Sequence, residues 1–180
     1  LIDYATQLEE GIKSMDLISV NTNELNFTNF PSDSIVEKWS DSFDYKYGGP
    51  NRSPKFMMPN NLAYLLRYGT QHHNEEVLNY VYLTLDRIAY GGVYDHIGGG
   101  FARYSTDLKW HVPHFEKMLY DNAQLVSLYS QAYQITKKPL YKEVVKETLE
   151  FIKREMTNAE GAFYSSLDAD SLTEEGELEE

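Results

Sequence analysis

His96, His114 and Glu116 stand in one stretch of the chain, where a proton could be moved. Imidazoles gain and lose a proton near neutrality, and a carboxylate beside one orients it. Asp95 adjoins His96, and Tyr104 and Trp110 flank the group. Arg103 can meet an anion, or pair within the chain with Asp95 or Asp107. Trp110 can lie on the apolar face of a pyranose, or act as a wedge between helices. Gly91, Gly92, Gly98, Gly99 and Gly100 let the backbone fold back tightly. Rings, imidazoles and carboxylates on such a backbone suggest the lining of a pocket for a polar small molecule. A single histidine is more often a structural residue; it is the grouping that suggests a site.

Other chemistries fit less well. His111-x-x-His114 with Glu116 lacks the i, i+4 spacing of a helical zinc pair, and Pro113 intervenes, so no metal is expected. Asp168-Ala169-Asp170-Ser171 resembles the opening of a calcium loop, but Thr173 stands where that loop needs glycine. Asp168 and Asp170 can instead serve sugar hydroxyls or act as acid and base; a solvated acidic turn is the plainer reading. Gly98-Gly99-Gly100 lacks the lysine and hydroxyl of a phosphate loop, and no cofactor is expected. His72-His73 closes a helix, where partial negative charge favours a cation.

Composition narrows the partners. The net charge is −12, which argues against nucleic acid and against anionic membrane surfaces. Much of the excess lies after Thr157, where eight acidic residues meet no lysine or arginine. Apolar residues make up 42% and aromatics 14%, enough for a packed core, and the 15 tyrosines suit surfaces that bind sugars or partners. With no cysteine, no membrane-length apolar run and no leader, the expected compartment is the cytoplasm. The start without methionine and the acidic end read as those of a piece of something longer.

The elements that must hold these groups are helical. Residues 1–14 carry Tyr4, Ala5, Leu8 and Ile12 on one stripe, and 19–28 read as a linker. Pro31 to Ser34 open a helix with a Ser34/Glu37 capping box and inward Ile35, Val36, Trp39 and Phe43. Helices follow at about 60–71 and 74–89. A long helix is expected to start at Pro113, and a last one after Pro139 carries Tyr141, Val145, Leu149, Ile152 and Met156 inward. Tyr47-Gly48-Gly49, Gly91-Gly92-Val93-Tyr94 and Gly161-Ala162-Phe163-Tyr164 suggest a repeat of helix pairs with loops on one face. Alternation through Val93, His96, Phe101 and Tyr104 suggests a short β-hairpin there.

The long motifs carry a resemblance. Ser53-Pro54-Lys55-Phe56, Gly91 to Phe101, Arg103 to Asp107, Val112 to Asp121 and Phe163 to Ser171 resemble the thioredoxin-domain-containing family related to spermatogenesis-associated protein 20, over about Phe43 to Glu180. The resemblance implies an all-α fold, helical hairpins forming part of an (α/α)6 toroid similar to N-acylglucosamine 2-epimerases and six-hairpin glycosidases. By it, 1–30 are a helix and linker, 31–180 the first hairpins, and a thioredoxin-like domain lies upstream. It implies a carbohydrate partner; taken with the loop cluster read from the residues, the expectation is histidine/carboxylate acid–base chemistry, with His96, His114, Glu116, Asp168 and Asp170 as the catalytic candidates. Arg103, Tyr104, Trp110, Tyr120 and Asp121 are then the substrate-binding candidates. The alternative is a non-catalytic glycan- or protein-binding module serving the thioredoxin-like domain. These expectations share one supposition, that the loop groups meet on a common concave surface.

Overall fold

The computed structural model describes residues 2–15, 32–172 and 178–179, which fall into two units, Leu1–Ser34 and Ile35–Glu180. In the first, α1 (Ile2–Met15) forms where the 3.6-residue periodicity places it, with Glu9 and Lys13 paired one turn apart at 2.6 Å. Its Tyr4, Leu8 and Ile12 stripe is exposed. The expected linker at 19–28 lies outside the described residues.

The second unit is built from helices, with short turns inside its two hairpins and long loops ahead of each. α2 (Ser32–Ser40) begins two residues before Ser34, so the expected capping box falls inside its first turn. α3 (Pro59–Gln71) has proline at its start, where a missing N–H costs nothing. α4 (Glu75–Tyr90) is capped by Asn74, whose side chain accepts from the Val77 N–H at 3.1 Å. α5 (Leu119–Thr136) and α6 (Pro139–Glu155) are separated by Lys137, in the left-handed region, and Lys138. α3 packs on α4 and α5 on α6 as hairpins, and α3 packs on α5. Leu62, Leu65, Val81, Leu85, Leu125 and Leu128 are sealed between them. Buried hydroxyls link the hairpins: Tyr129 donates to the Leu85 carbonyl at 2.8 Å and Tyr141 to Asp86 at 2.9 Å.

Two expectations about these helices need correction. The long helix starts at Leu119 and not at Pro113, because residues 113–118 are extended. Phe115, Met118 and Leu119 share helical spacing, yet the segment is held in β3 (Pro113–His114) and β4 (Lys117–Met118). On α6 the buried face is Tyr141, Val144, Thr148 and Phe151; Val145 is only partly buried and Leu149 is exposed. Apolar residues sit on two adjacent stripes there, and the contact with the glycine loop selects one. A methyl on Gly100 would stand 2.4 Å from the Phe151 ring.

Because each hairpin is antiparallel, the starts of α3 and α5 and the ends of α4 and α6 share one end of the unit. The long loops therefore gather on one face. β1 (Lys55–Phe56) pairs antiparallel with β2 (Tyr104–Ser105), and β2 with β3; β4 pairs with β5 (Ser166–Leu167). The expected hairpin around His96 is reduced to one bridge, Tyr94 to Phe101. Among the described residues, no helix is long and apolar enough to cross a membrane.

Candidate functional site

The loop face is built on one device used twice. In the first copy Phe43 bridges Pro50, and Asp44 accepts the Lys46 and Tyr47 amides at 2.9 and 2.8 Å. The Lys55 ammonium then donates to Asp44 and to the Gly48 carbonyl, each at 2.7 Å. In the second copy Tyr94 bridges Phe101, and Asp95 accepts the Ile97 and Gly98 amides at 2.9 and 2.8 Å. Lys117 donates to Asp95 at 2.7 Å and to the Gly99 carbonyl at 2.9 Å. The repeat thus equates Gly48-Gly49 with Gly99-Gly100, which corrects the pairing with Gly91-Gly92 expected from sequence. Both glycine pairs have positive φ, from 70° to 80°. A third loop bridges Thr157 and Phe163 around Asn158, which accepts two loop amides without a charge.

These loops set the candidate residues in place. After the second loop the chain runs extended, so alternate residues of 113–117 face opposite ways. Pro113, Phe115 and Lys117 line a cavity of about 410 Å³ together with His96, Val93 and Ala102. His96 is held by its Nε2, 3.0 Å from the Gly91 carbonyl oxygen. The lining is largely apolar. His114 instead stacks on Tyr104, with ring centres 4.8 Å apart, and Glu116 accepts from Arg103 at 2.8 Å. The two histidines therefore serve different faces of the segment. Trp110 is 0% exposed and donates to the Tyr47 carbonyl at 2.9 Å. Its ring wedges against Gly49, leaving no face for a sugar, which corrects its expected stacking role.

A polar group remains around Arg103. Tyr120 and Asp121 open α5 beside it, and both add to the electrostatics of the pair. Burial pushes the Asp121 carboxyl up; Arg103 pulls it down, Glu116 pushes again, and it settles at about 6. Continuing the Lys117–Leu167 register by one residue sets Asp168 opposite Glu116, just past the strand end. Asp170 is exposed and its N–H points to Asp168 at 3.4 Å. Asp107, an expected partner of Arg103, caps the turn through the Lys109 and His111 amides instead. Among the described residues no three His, Asp or Glu side chains converge as metal ligands do.

Several positioning residues escaped the sequence reading: Lys55, Lys117, Thr84 and Asn122. Thr84 accepts the Gly49 amide at 2.9 Å, and Asn122 accepts the Phe101 amide at 2.8 Å while donating to its carbonyl at 3.1 Å. The available signal was an aspartate placed identically ahead of a glycine pair in Asp44–Gly49 and Asp95–Gly100.

Hairpins packed through their first helices, with loops on one end, define the class: the unit is part of an (α/α)6 toroid. Solved structures agree. The chain is similar to a sugar epimerase from a ruminal bacterium (TM-score 0.67, 16% identity, 77% of this chain and 38% of that one). It is also similar to cellobiose 2-epimerase of Bacillus thermoamylovorans (TM-score 0.64, 17% identity, covering 79% and 42%). A family 76 glycoside hydrolase from a bovine Bacteroides thetaiotaomicron strain gives a TM-score of 0.58 at 14% identity, covering 79% and 32%. At these identities the likeness is one of fold.

Sequence similarity is closer. The chain is 43% identical to human spermatogenesis-associated protein 20 and 42% identical to the mouse protein, in each case over 98% of its own length. It belongs to the spermatogenesis-associated protein 20 family. An uncharacterised protein of Caenorhabditis elegans is 38% identical over 77% of the chain. The chain spans 23% of the length of the mammalian relatives. No protein-family model matches it.

Proposed function

We propose that residues 31–180 supply the first hairpins of a cytoplasmic, carbohydrate-active (α/α)6 domain, with 1–30 a connector and a thioredoxin-like domain upstream in the whole protein. The observation that carries this reading is the polar group of Arg103, Glu116, Tyr120 and Asp121 gathered on the loop face of toroid hairpins, where burial raises the Asp121 carboxyl to about 6. A group of that pKa exchanges a proton readily near neutrality. In a sugar 2-epimerase the base would take the C2 proton of the ring-opened aldose, leaving an enediolate. The Arg103 guanidinium would offset the charge on O1, and whichever of Asp121 and His114 is not the base would deliver a proton to the other face of C2 and invert it. Asp121 or His114 is the base in this scheme, with Tyr104 and Tyr120 as walls. In a hydrolase, Glu116 and Asp168 would be the opposed carboxylates.

The test is incubation of the full-length protein with aldoses in heavy water. Deuterium at C2 is expected, and Asp121→Asn should slow its entry about 100-fold or more. As a base, Asp121 works ionised, so exchange should rise with pH through about 6. No deuterium in any aldose would remove the epimerase reading.

A second reading is a glycan- or protein-binding module. It is favoured by the sealed Trp110 and by His96 lying on a different face from His114. Under it, His96→Ala and His114→Ala in the intact protein leave binding unchanged, with no catalytic loss to record.

A further inference from the structure

Beside the first loop copy lies a cleft that none of the candidate residues touches. Trp39 at the end of α2, Asp41, Asn51 and Arg52 of the loop, and Met58 and Asn61 at the start of α3 enclose about 350 Å³. That volume suits a ligand of one or two sugar rings. Beneath it an apolar recess of about 40 Å³ is floored by Phe43, Met57, Leu62 and Tyr80, with Trp39 lining both.

The Trp39 ring is only partly buried, and packing holds it. It meets Phe43 edge-on at 5.9 Å and Tyr64 at a tilt at 6.5 Å. Met58 has φ +47°, a left-handed conformation that a side chain adopts at a cost, and its side chain lines both the cleft and the recess. The polar groups on the rim are uncommitted. Among the described residues, no hydrogen bond or ion pair engages the side chains of Asp41, Asn51, Arg52 or Asn61, whereas Asp44, Asp95, Asp107, Asn74, Asn122 and Asn158 all serve the backbone.

The loop repeat supplies a control within the same molecule. The first cleft uses Asp41 and Ser42 just ahead of the Phe43–Pro50 bridge and Asn51 just after it. The cavity beside His96 uses Gly92 and Val93 ahead of the Tyr94–Phe101 bridge and Ala102 after it. The same backbone thus makes two hollows, one lined with carboxamides, a guanidinium, a carboxylate and an indole, the other mostly apolar. Hydroxyl-rich rings need an apolar wall together with donors and acceptors free to meet them; the first hollow offers both, whereas Asp95 and Lys117 beside the second are bonded to each other. One cation and one anion leave its lining without net charge, which suits an uncharged sugar.

We propose that this cleft is a carbohydrate subsite, with Trp39 as the wall and Asn51, Arg52, Asn61 and Asp41 as the hydroxyl partners. It extends the carbohydrate reading to a place that reading does not use, so the two can fail separately. Saturation-transfer NMR on the full-length protein uses cellobiose as the probe and D-glucuronate as the charged control. Transfer to cellobiose should exceed transfer to glucuronate, and Trp39→Ala should weaken cellobiose binding about tenfold or more. Arg52→Ala and Asn61→Ala, surface changes that leave the core intact, should weaken it as well, while Lys142→Ala, an exposed change on α6, should not. No transfer to cellobiose, or transfer that survives all three cleft variants, overturns the subsite; so does its loss in Lys142→Ala. Binding that depends on Trp39 with no deuterium at C2 overturns the proposed reaction and leaves the subsite standing.

Discussion

Lys55→Met should destabilise the fold by about 3–5 kcal/mol, far more than the same change at Lys117. The Lys55 side chain is 0% exposed and its partner Asp44 7% exposed. Removing the ammonium strands a buried carboxylate and leaves the Gly48 carbonyl without its donor. Two loop amides still reach Asp44, but they do not neutralise it. Lys117 makes the same two bonds closer to solvent, with Asp95 38% exposed, so Lys117→Met should cost about 1 kcal/mol. The third loop suggests the rescue. Asn158 organises the same kind of turn with no charge, and so Asp44→Asn combined with Lys55→Met should recover much of the loss. Urea midpoints for the single and double variants measure this, and a double variant as weak as Lys55→Met would contradict it. The same geometry sets an acid limit. Burial alone would raise the Asp95 carboxyl; Lys117 and the Gly98 and Ile97 amides outweigh it and hold it at about 2. A depressed carboxylate contributes stability that is complete above its unfolded pKa of about 4. That contribution fades as pH falls through about 2.

Gly49→Ala carries the other large effect, about 3 kcal/mol. The residue sits at φ +70°, where a side chain costs about 1–2 kcal/mol, and the new methyl would stand 2.5 Å from Trp110 Cζ2. Trp110 cannot retreat, because its indole N–H is bonded to Tyr47 and its ring is enclosed. Overpacking of that kind adds about 1–3 kcal/mol. Gly161→Ala is the contrast: φ is +85° but nothing lies within 4 Å, so only the backbone term of about 1–2 kcal/mol applies. Thermal unfolding of the two variants separates strain from collision, and equal losses would mean that the Trp110 wedge yields.

Of the candidate site, residue types were readable and their grouping was not. His96 and His114 look like partners along the chain, yet an extended strand sends alternate side chains apart, and helical spacing in Phe115–Leu119 hid that strand. Arg103 offered Asp95, Asp107 and an external anion as partners; β2 and the following segment brought it to Glu116 instead. Asp95 was taken by a lysine twenty-odd positions on, a contact that no local pattern announces.

Local physics was enough for the helices. Periodicity, prolines at helix starts and the asparagine cap at Asn74 are decided within a few residues, so α3, α4 and α6 fall close to where the chain announces them. The hairpin class follows, because short turns between amphipathic helices leave few other packings. Packing between distant segments settled everything that rests on a choice between equal local options. Phe151 over Leu149 as core, Gly99 over Gly91 as the repeat partner, and Trp110 as a wedge are such choices. Each depends on atoms brought together from positions far apart in the chain, where side-chain volume and unpaired polar groups select the one arrangement that leaves neither a void nor an orphaned charge.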